Sequence, residues 1–114
     1  MNITFRQLQI FESVAQHLSY TRAAELLYLT QPAVSMQIKQ LESVVGTPLF
    51  ERMGKSLFLT EAGDELLVYA RNISQQLSEM EEVLDELKGS QRGRLNIEVV
   101  TTATSFALKL LGEF

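Results

Sequence analysis

Apolar side chains recur at helical spacing three times within the first 46 residues of the chain. The first run lies between Thr4 and Leu18. The second starts at an N-cap on Ser19 or Thr21 and ends near Tyr28, and the third follows directly. This spacing is typical of amphipathic helices. It predicts three short helices, with Thr4 as the N-cap of the first and the last two joined as a helix-turn-helix.

The third segment has two distinct faces. Thr30 is a favourable N-cap, Pro32 lies in the first turn, where its missing N–H costs little, and Gly46 ends the helix. One face is an apolar stripe formed by Val34, Ile38, Leu41 and Val45. The other faces carry Gln31, Ser35, Met36, Lys39 and Gln40. We predict that the stripe joins a core and that the remaining faces meet solvent or a ligand.

After this helix the hydrophobic pattern changes period. Two short runs, residues 49–52 and 56–59, flank the turn Met53-Gly54-Lys55. This arrangement predicts a small hairpin that carries Arg52 and Lys55 at its tip. A hairpin directly after a helix-turn-helix is the wing of a winged helix-turn-helix.

A long helix is predicted to follow, with Thr60 as its N-cap, its end near Lys88, and Gly89 as the residue that stops it. Its 28 residues would span ~42 Å. The apolar positions step by four and three over three heptads, at Leu66, Ala70, Ile73, Leu77, Met80, Leu84 and Leu87. Such a seam favours dimerisation with a second copy of the helix. The alternative is a core helix within one chain.

The last part of the chain changes character again. Residues 89–94 are predicted to be a glycine-bounded hinge, residues 94–101 a strand, and residues 102–111 a helix. One strand and one helix cannot form a domain alone. We therefore predict a mainly α chain with four parts. They are a winged helix-turn-helix (1–60), a dimerisation helix (61–88), the hinge (89–94) and the truncated start of an α/β domain (95–114).

Composition narrows the classes of function. The chain has no cysteine, which excludes disulfides and thiolate metal sites and fits a reducing cytoplasm. Its apolar runs are shorter than the ~20 residues that a membrane span needs. The sequence holds one histidine and shows no nucleophile–base pair, metal-ligand cluster or phosphate loop. We therefore expect no enzyme activity, no metal and no cofactor.

The charge distribution modifies the first impression of an acidic protein. The net charge of −4 argues against a nucleic-acid partner. Residues 1–60, however, hold five basic and four acidic side chains, a net charge of +1. Much of the acid lies between residues 79 and 86. A front half with so weak a field would need well-placed contacts to bind DNA.

The outward face of the third helix suits the DNA major groove, where base edges present donors, acceptors and thymine methyl groups. Gln31 can pair with adenine, Ser35 is adaptable, and Lys39 can reach guanine or a phosphate. Pro32 and Met36 offer apolar surface to a thymine methyl. Candidate contacts to phosphates or the minor groove are Thr30, Arg22, Arg52 and Lys55.

The run SYTRAAELLYLTQPAVSMQIKQLESVVGTPLFER, followed by LTEAG, resembles the N-terminal domain of LysR-type bacterial transcriptional regulators. The resemblance covers about residues 1–100. Within that family, HLSYTRAAE, QPAVSMQIKQLE and the C-terminal RGRLNIEVVTTATSFALKLLGEF are most similar to regulators of carbon-fixation (Calvin-cycle) operons. Many members carry arginine after the serine at position 35. Met36 replaces it here, which removes the expectation of a direct guanine contact there.

The resemblance implies a regulator that binds an interrupted palindrome in promoter DNA. It implies dimers through the long helix, tetramers in full-length proteins, RNA polymerase as a further candidate partner, and a cytoplasmic location on the bacterial nucleoid. It also implies an effector domain that senses a small metabolite. The positions that match its cleft are Thr101, Thr102 and Ser105. Because the rest of that cleft is missing, effector binding is expected only in a full-length protein.

One alternative function stays open from the residues alone. The seam of the long helix could be the whole function, with the front half as a passive scaffold. In that case the chain would be a coiled-coil protein-interaction module without specific DNA binding.

Overall fold

A computed structural model describes the backbone of residues 1–93 and the side chains of residues 1–89. Its elements in chain order are α1 (Phe5–His17), α2 (Tyr20–Leu27), α3 (Gln31–Val45), β1 (Phe50–Met53), β2 (Ser56–Leu59) and α4 (Glu61–Gly93). The chain divides into two compact units after Ser74, and we call Met1–Ser74 the head. The predicted strand and helix beyond residue 94, with the candidate effector residues, lie outside the described residues.

Side-chain caps set the starts of the first helices, as the sequence predicts. Thr4 and Gln7 form a reciprocal capping box, in which the backbone N–H of each residue donates to the other side chain at 3.0 Å. Of the two candidate caps for α2, it is Ser19 that accepts from the Arg22 N–H, at 3.0 Å. The Thr30 hydroxyl accepts from the Ala33 N–H at 3.2 Å and caps α3. These three N-terminal boundaries are confirmed.

The turn between α2 and α3 contains no glycine. Tyr28 takes the left-handed conformation, with φ of 58°, and its side chain is exposed. The Leu29 N–H donates to the Ala24 carbonyl at 2.9 Å, and the Tyr28 N–H donates to the backbone carbonyl of Glu25 at 3.3 Å. Backbone hydrogen bonds of this kind satisfy the last carbonyls of α2 and close the turn. At the other end of α3, Gly46 supplies the same left-handed conformation, with φ of 92°.

The core of the head lies between α1, α2, α3 and the wing. Its largest fully buried side chains are Ile10, Phe11, Val14, Val34, Ile38, Leu41 and Leu49. The predicted α3 stripe is confirmed at Val34, Ile38 and Leu41, which are at most 1% exposed. The small side chains of Ala23 and Ala24 are also buried, which lets α2 approach its neighbours closely. The inward face of α3 therefore packs against the core along most of its length.

The wing is an antiparallel pair in which Phe50 faces Leu59 and Met53 faces Ser56. Gly54 provides the positive φ of 64° that its short turn requires. The Phe50 ring packs on Phe11 of α1 and Tyr20 of α2, with ring centroids 5.4 and 5.9 Å away. These contacts attach the base of the wing to the helical core.

α4 begins at the Thr60 cap, whose hydroxyl accepts from the Gly63 N–H at 3.0 Å. The prediction that Gly89 stops this helix is wrong, because the helix continues through Gly89 to Gly93. Unlike Gly46, Gly89 does not adopt the left-handed conformation. A glycine inside a helix costs about 1 kcal/mol relative to alanine but keeps its N–H, so it weakens the helix without ending it. The predicted hinge therefore begins inside α4.

The described residues lack two features that would indicate other classes of protein. Within them, no helix is both long enough and apolar enough to cross a membrane. The described side chains also include no group of three or more histidines, cysteines or carboxylates close enough to hold a metal ion.

Candidate nucleic-acid interface

The outward side of α3 forms a shallow open groove. It is lined by Gln31, Pro32, Ser35, Met36, Lys39, Gln40 and Ser43. The structure therefore brings all five predicted base-contacting residues together, and we call these five (Gln31, Pro32, Ser35, Met36 and Lys39) the reading face. Gln40 and Ser43 extend the same surface toward the C-terminus of α3. Neither residue was predicted to belong to the site, although Ser43 continues the four-residue spacing of Gln31, Ser35 and Lys39.

The reading face combines polar groups with apolar surface. Met36 is 59% exposed although its side chain is apolar. Ser35 is half-buried, and Gln31 and Lys39 are exposed. The inward side of the same helix is packed in the core, so these side chains project from a fixed backbone. A rigid helix that presents amide, hydroxyl, ammonium and thioether groups on one side can contact several base types.

The first turn of α3 offers donors to an anion. The Thr30 hydroxyl oxygen accepts from the Ala33 N–H, which leaves the hydroxyl proton free to be donated outward. Pro32 has no N–H, so the backbone contribution at this end is smaller than in most helices. The N-terminus of α3 therefore offers an anion the hydroxyl donor of Thr30 and the positive end of the helix dipole.

Arg22 is the predicted phosphate contact that already has a partner. Its Nη1 lies 3.2 Å from Oε1 of Glu25, one turn further along α2, and both side chains are exposed. An exposed pair of this kind is worth at most about 1 kcal/mol. Arg22 can therefore exchange Glu25 for a phosphate at small cost.

The two predicted basic residues of the wing are both exposed, but only one lies at its tip. Lys55 is in the turn, whereas Arg52 lies in β1 opposite Leu57. Among the described side chains, neither residue forms an ion pair. Both cations are therefore available to phosphates.

Tyr20 reports the electrostatics beneath the wing. Burial raises the pKa of the Tyr20 hydroxyl, and the Glu42 carboxylate raises it further, while Arg52 acts in the opposite direction. No sequence pattern points to Glu42, because its hydrogen-bond partners are the backbone N–H groups of Leu49 and Phe50.

The long apolar stripe of α4 is divided by burial. Leu66 is partly buried against the head core and Ala70 is fully buried, so their own chain covers Ala70 and part of Leu66. Leu67, which was not predicted, is buried beside them. Of the later positions, Leu77 is half-buried, and the exposure of the other four ranges from 44% at Ile73 to 57% at Leu87. We call the accessible set, Ile73, Leu77, Met80, Leu84 and Leu87, the α4 stripe.

These features define a winged helix-turn-helix protein with an exposed recognition helix. Residues 5–64 match the family described as "Bacterial regulatory helix-turn-helix protein, lysR family". The chain therefore belongs to the LysR family, whose members are transcriptional regulators and not enzymes. This confirms the resemblance inferred from the sequence.

The chain is also similar to named regulators along its whole length. It is 57% identical over 114 residues to a RuBisCO operon transcriptional regulator of Allochromatium vinosum, covering 100% of this chain and 38% of that protein. It is 54% identical over 112 residues to the HTH-type transcriptional regulator CfxR of Cupriavidus necator, covering 98% of this chain and 35% of that protein. The chain thus spans little more than a third of the length of these relatives.

Among solved structures, the DNA complex of the BenM DNA-binding domain with catB site 1 matches with a TM-score of 0.72 and 29% identity. The alignment covers 75% of this chain and 96% of that one. The DNA complex of the CbnR DNA-binding domain matches with a TM-score of 0.67 and 32% identity, covering 73% and 95% of the two chains. Both confirm the predicted fold, a winged helix-turn-helix with a long helix.

Proposed function

We propose that the head is a sequence-specific DNA-binding module that inserts the reading face of α3 into the major groove. The observation that carries this proposal is the two-sided character of α3. Val34, Ile38 and Leu41 are at most 1% exposed, while the opposite side is an open groove of mixed chemistry. A solvated helix face needs no exposed methionine beside amides and a lysine, whereas base recognition uses all of these groups.

Each group has a defined task in the proposed complex. Gln31 donates to and accepts from an adenine edge, and Lys39 reaches guanine or a phosphate. Pro32 and Met36 lie against thymine methyl groups. The phosphate backbone on both sides of the groove is held by Thr30, Arg22, Arg52 and Lys55. These contacts fix the register of the helix on the DNA.

The comparisons support DNA as the partner. The matched BenM and CbnR structures are DNA complexes of DNA-binding domains, and the alignments cover nearly all of each domain. The relatives support a target as well, since the A. vinosum protein is a regulator of a RuBisCO operon. We therefore propose that this chain acts in the bacterial cytoplasm at the promoter of a carbon-fixation operon.

Residues 1–60 carry a net charge of only +1 with which to hold DNA, so a second copy is part of the proposal. The α4 stripe would join two chains and present two heads to an interrupted palindrome. Ala70 is excluded from this surface by its burial, and Leu66 is partly covered by the head core. Tetramers, contact with RNA polymerase, and, in a full-length protein, an effector site that includes Thr101, Thr102 and Ser105 stay predictions.

The reading face is tested by Gln31→Ala and Ser35→Ala, with Gln16→Ala on the exposed side of α1 as the control. Binding of each variant to a promoter duplex, selected from genomic fragments with the parent chain, is measured by fluorescence anisotropy. We expect each reading-face variant to lose ~1–3 kcal/mol of specific binding with an unchanged melting temperature. Full retention of affinity in both variants would show that the assigned face is wrong.

The same fragments separate this proposal from the coiled-coil alternative. A DNA-binding head should select fragments upstream of RuBisCO genes, with affinity that falls as salt rises. If the chain binds no genomic fragment in a salt-sensitive manner but still dimerises, the interaction module is the better description.

A further inference from the structure

Glu42 connects the recognition helix to the wing. It lies in the last turns of α3, partly buried, and its Oε2 accepts a hydrogen bond from the Leu49 N–H at 2.8 Å. The same oxygen accepts a longer bond from the Phe50 N–H at 3.4 Å. Leu49 is fully buried and Phe50 is the first residue of β1. The carboxylate thus holds the start of the wing directly on α3.

The end of the wing is held at the same place. The Thr60 N–H donates to the Leu49 carbonyl at 3.0 Å, and the Thr60 hydroxyl donates to the Pro48 carbonyl at 2.7 Å. Gly63 lies so close that a Cβ there would collide with the Leu49 carbonyl oxygen. Both ends of the hairpin therefore meet at Leu49, and Glu42 ties that point to the recognition helix.

The wing depends on such an anchor for its orientation. Its strands have four residues each, and a two-stranded hairpin of this size is marginally stable alone. Only Phe50 and Leu57 within the strands are buried. Leu59 is partly buried, and the other wing residues, including Arg52 and Lys55, are exposed. The direction of the wing relative to α3 is therefore set at its base.

The charge of Glu42 is unfavourable for DNA binding by itself. A negative charge in a head that meets phosphates lowers affinity through the long-range field. Hydrogen bonds from backbone N–H groups to a carboxylate are, however, about twice as strong as those to a neutral acceptor. Glu42 therefore has two opposite effects on the affinity for DNA. Its hydrogen bonds position the wing, which raises the affinity, and its negative charge repels the phosphates, which lowers it.

We propose that Glu42 is a positioning residue for DNA binding, which sets the wing cations Arg52 and Lys55 relative to the reading face. This inference rests on the proposed function, since it requires α3 and the wing to contact one duplex. It adds a residue that touches no DNA itself.

The test compares Glu42→Gln with Glu51→Gln in the full 114-residue chain. Each change removes one negative charge from the same part of the head. Glu51 lies in β1 and is exposed, and its side chain makes no hydrogen bond or ion pair within the residues that the structure describes. We expect Glu51→Gln to strengthen binding to a selected duplex by up to about twofold. Glu42→Gln should weaken it by about threefold to tenfold, because the bonds to the wing become weaker.

A second measurement separates positioning from a general loss of structure. Glu42→Gln is repeated in an Arg52→Ala/Lys55→Ala background, at low salt so that this background still binds. If Glu42 acts through those cations, its substitution there should change affinity by less than about 1.5-fold. Melting temperatures of all variants are recorded alongside.

The outcomes are distinct. The inference is supported if Glu42→Gln weakens duplex binding while Glu51→Gln strengthens it, and if Glu42→Gln no longer weakens binding in the Arg52→Ala/Lys55→Ala background. Stronger binding by Glu42→Gln, or an equal weakening in both backgrounds, overturns it and leaves the proposed function intact. A parent chain that selects no duplex overturns the proposed function and this inference with it.

Discussion

α3 and α4 carry the same kind of apolar stripe and bury it in opposite ways. In α3 the stripe is closed off, with Val34, Ile38 and Leu41 at most 1% exposed. In α4 the positions from Ile73 to Leu87 remain accessible, apart from the half-buried Leu77. Hydrophobic periodicity therefore shows that a helix face needs an apolar partner, but it does not show which chain supplies that partner.

Length explains most of the difference. α3 has 15 residues, about 22 Å, and lies within reach of α1 and α2. α4 has 33 residues, about 50 Å, which exceeds what a core of this size can cover. Among the side chains of α4 that the structure describes, only Leu67 and Ala70 in its first turns are buried. The remaining apolar surface is the part that a second copy would cover.

The largest expected effect is a loss of stability when a buried leucine of α3 is truncated. Leu41→Ala should cost ~2–5 kcal/mol of unfolding free energy, because it opens a cavity in a fully buried site. Leu84→Ala, the matched truncation on α4, should cost less than ~0.5 kcal/mol in the monomer. Urea unfolding at a concentration that keeps the chain monomeric measures both. Equal losses would mean that the α4 stripe is already packed within one chain.

The next effect concerns assembly. Ile73→Lys or Leu77→Lys should weaken dimers by about 3 kcal/mol or more, since each copy would bury an unpaired charge. Gln75→Lys adds the same charge on the side of α4 away from the stripe and serves as the control. Sedimentation equilibrium gives the dissociation constants. Dimers that tolerate both stripe variants would place the interface elsewhere.

A smaller effect distinguishes the exposed apolar surface of α3 from that of α4. If Met36 lies against a thymine methyl, replacing that thymine by uracil in the duplex should cost ~0.8 kcal/mol, the value of one buried methyl group. Met36→Ala should remove the sensitivity at that position. Binding titrations on singly substituted duplexes measure it, with thymines outside the half-sites as controls. Uniform tolerance of uracil would exclude methyl recognition.

The smallest effect probes the packed base of the wing through pH. Because burial raises the pKa of Tyr20, its neutral form is favoured in the folded state. This stabilisation is complete below the unfolded pKa of about 10 and is lost as pH rises through the higher folded value. Tyr20→Phe should therefore show a shallower fall in melting temperature above pH ~10, with Tyr69→Phe at an exposed position as the comparison. An unchanged alkaline profile would contradict the assigned environment.

Much of the architecture could be predicted because its signals are local. Thr4 and Thr30 each bond to an N–H three residues away, and Gly46 adopts the left-handed conformation that glycine takes most readily. Such rules operate within one turn, so they can be applied to the sequence alone. The same rules wrongly predicted that α4 ends at Gly89, because a glycine can end a helix or be accommodated inside one.

The sequence by itself determined the order of the elements, the wing, the buried stripe of α3 and the five residues of the reading face. All of these follow from spacing along one segment. The tertiary structure decided that Leu67 and Ala70 belong to the head, and that Glu42 bonds to the backbone N–H groups of Leu49 and Phe50. Backbone donors carry no residue-specific signal, and the burial of one helix turn depends on where its neighbours lie.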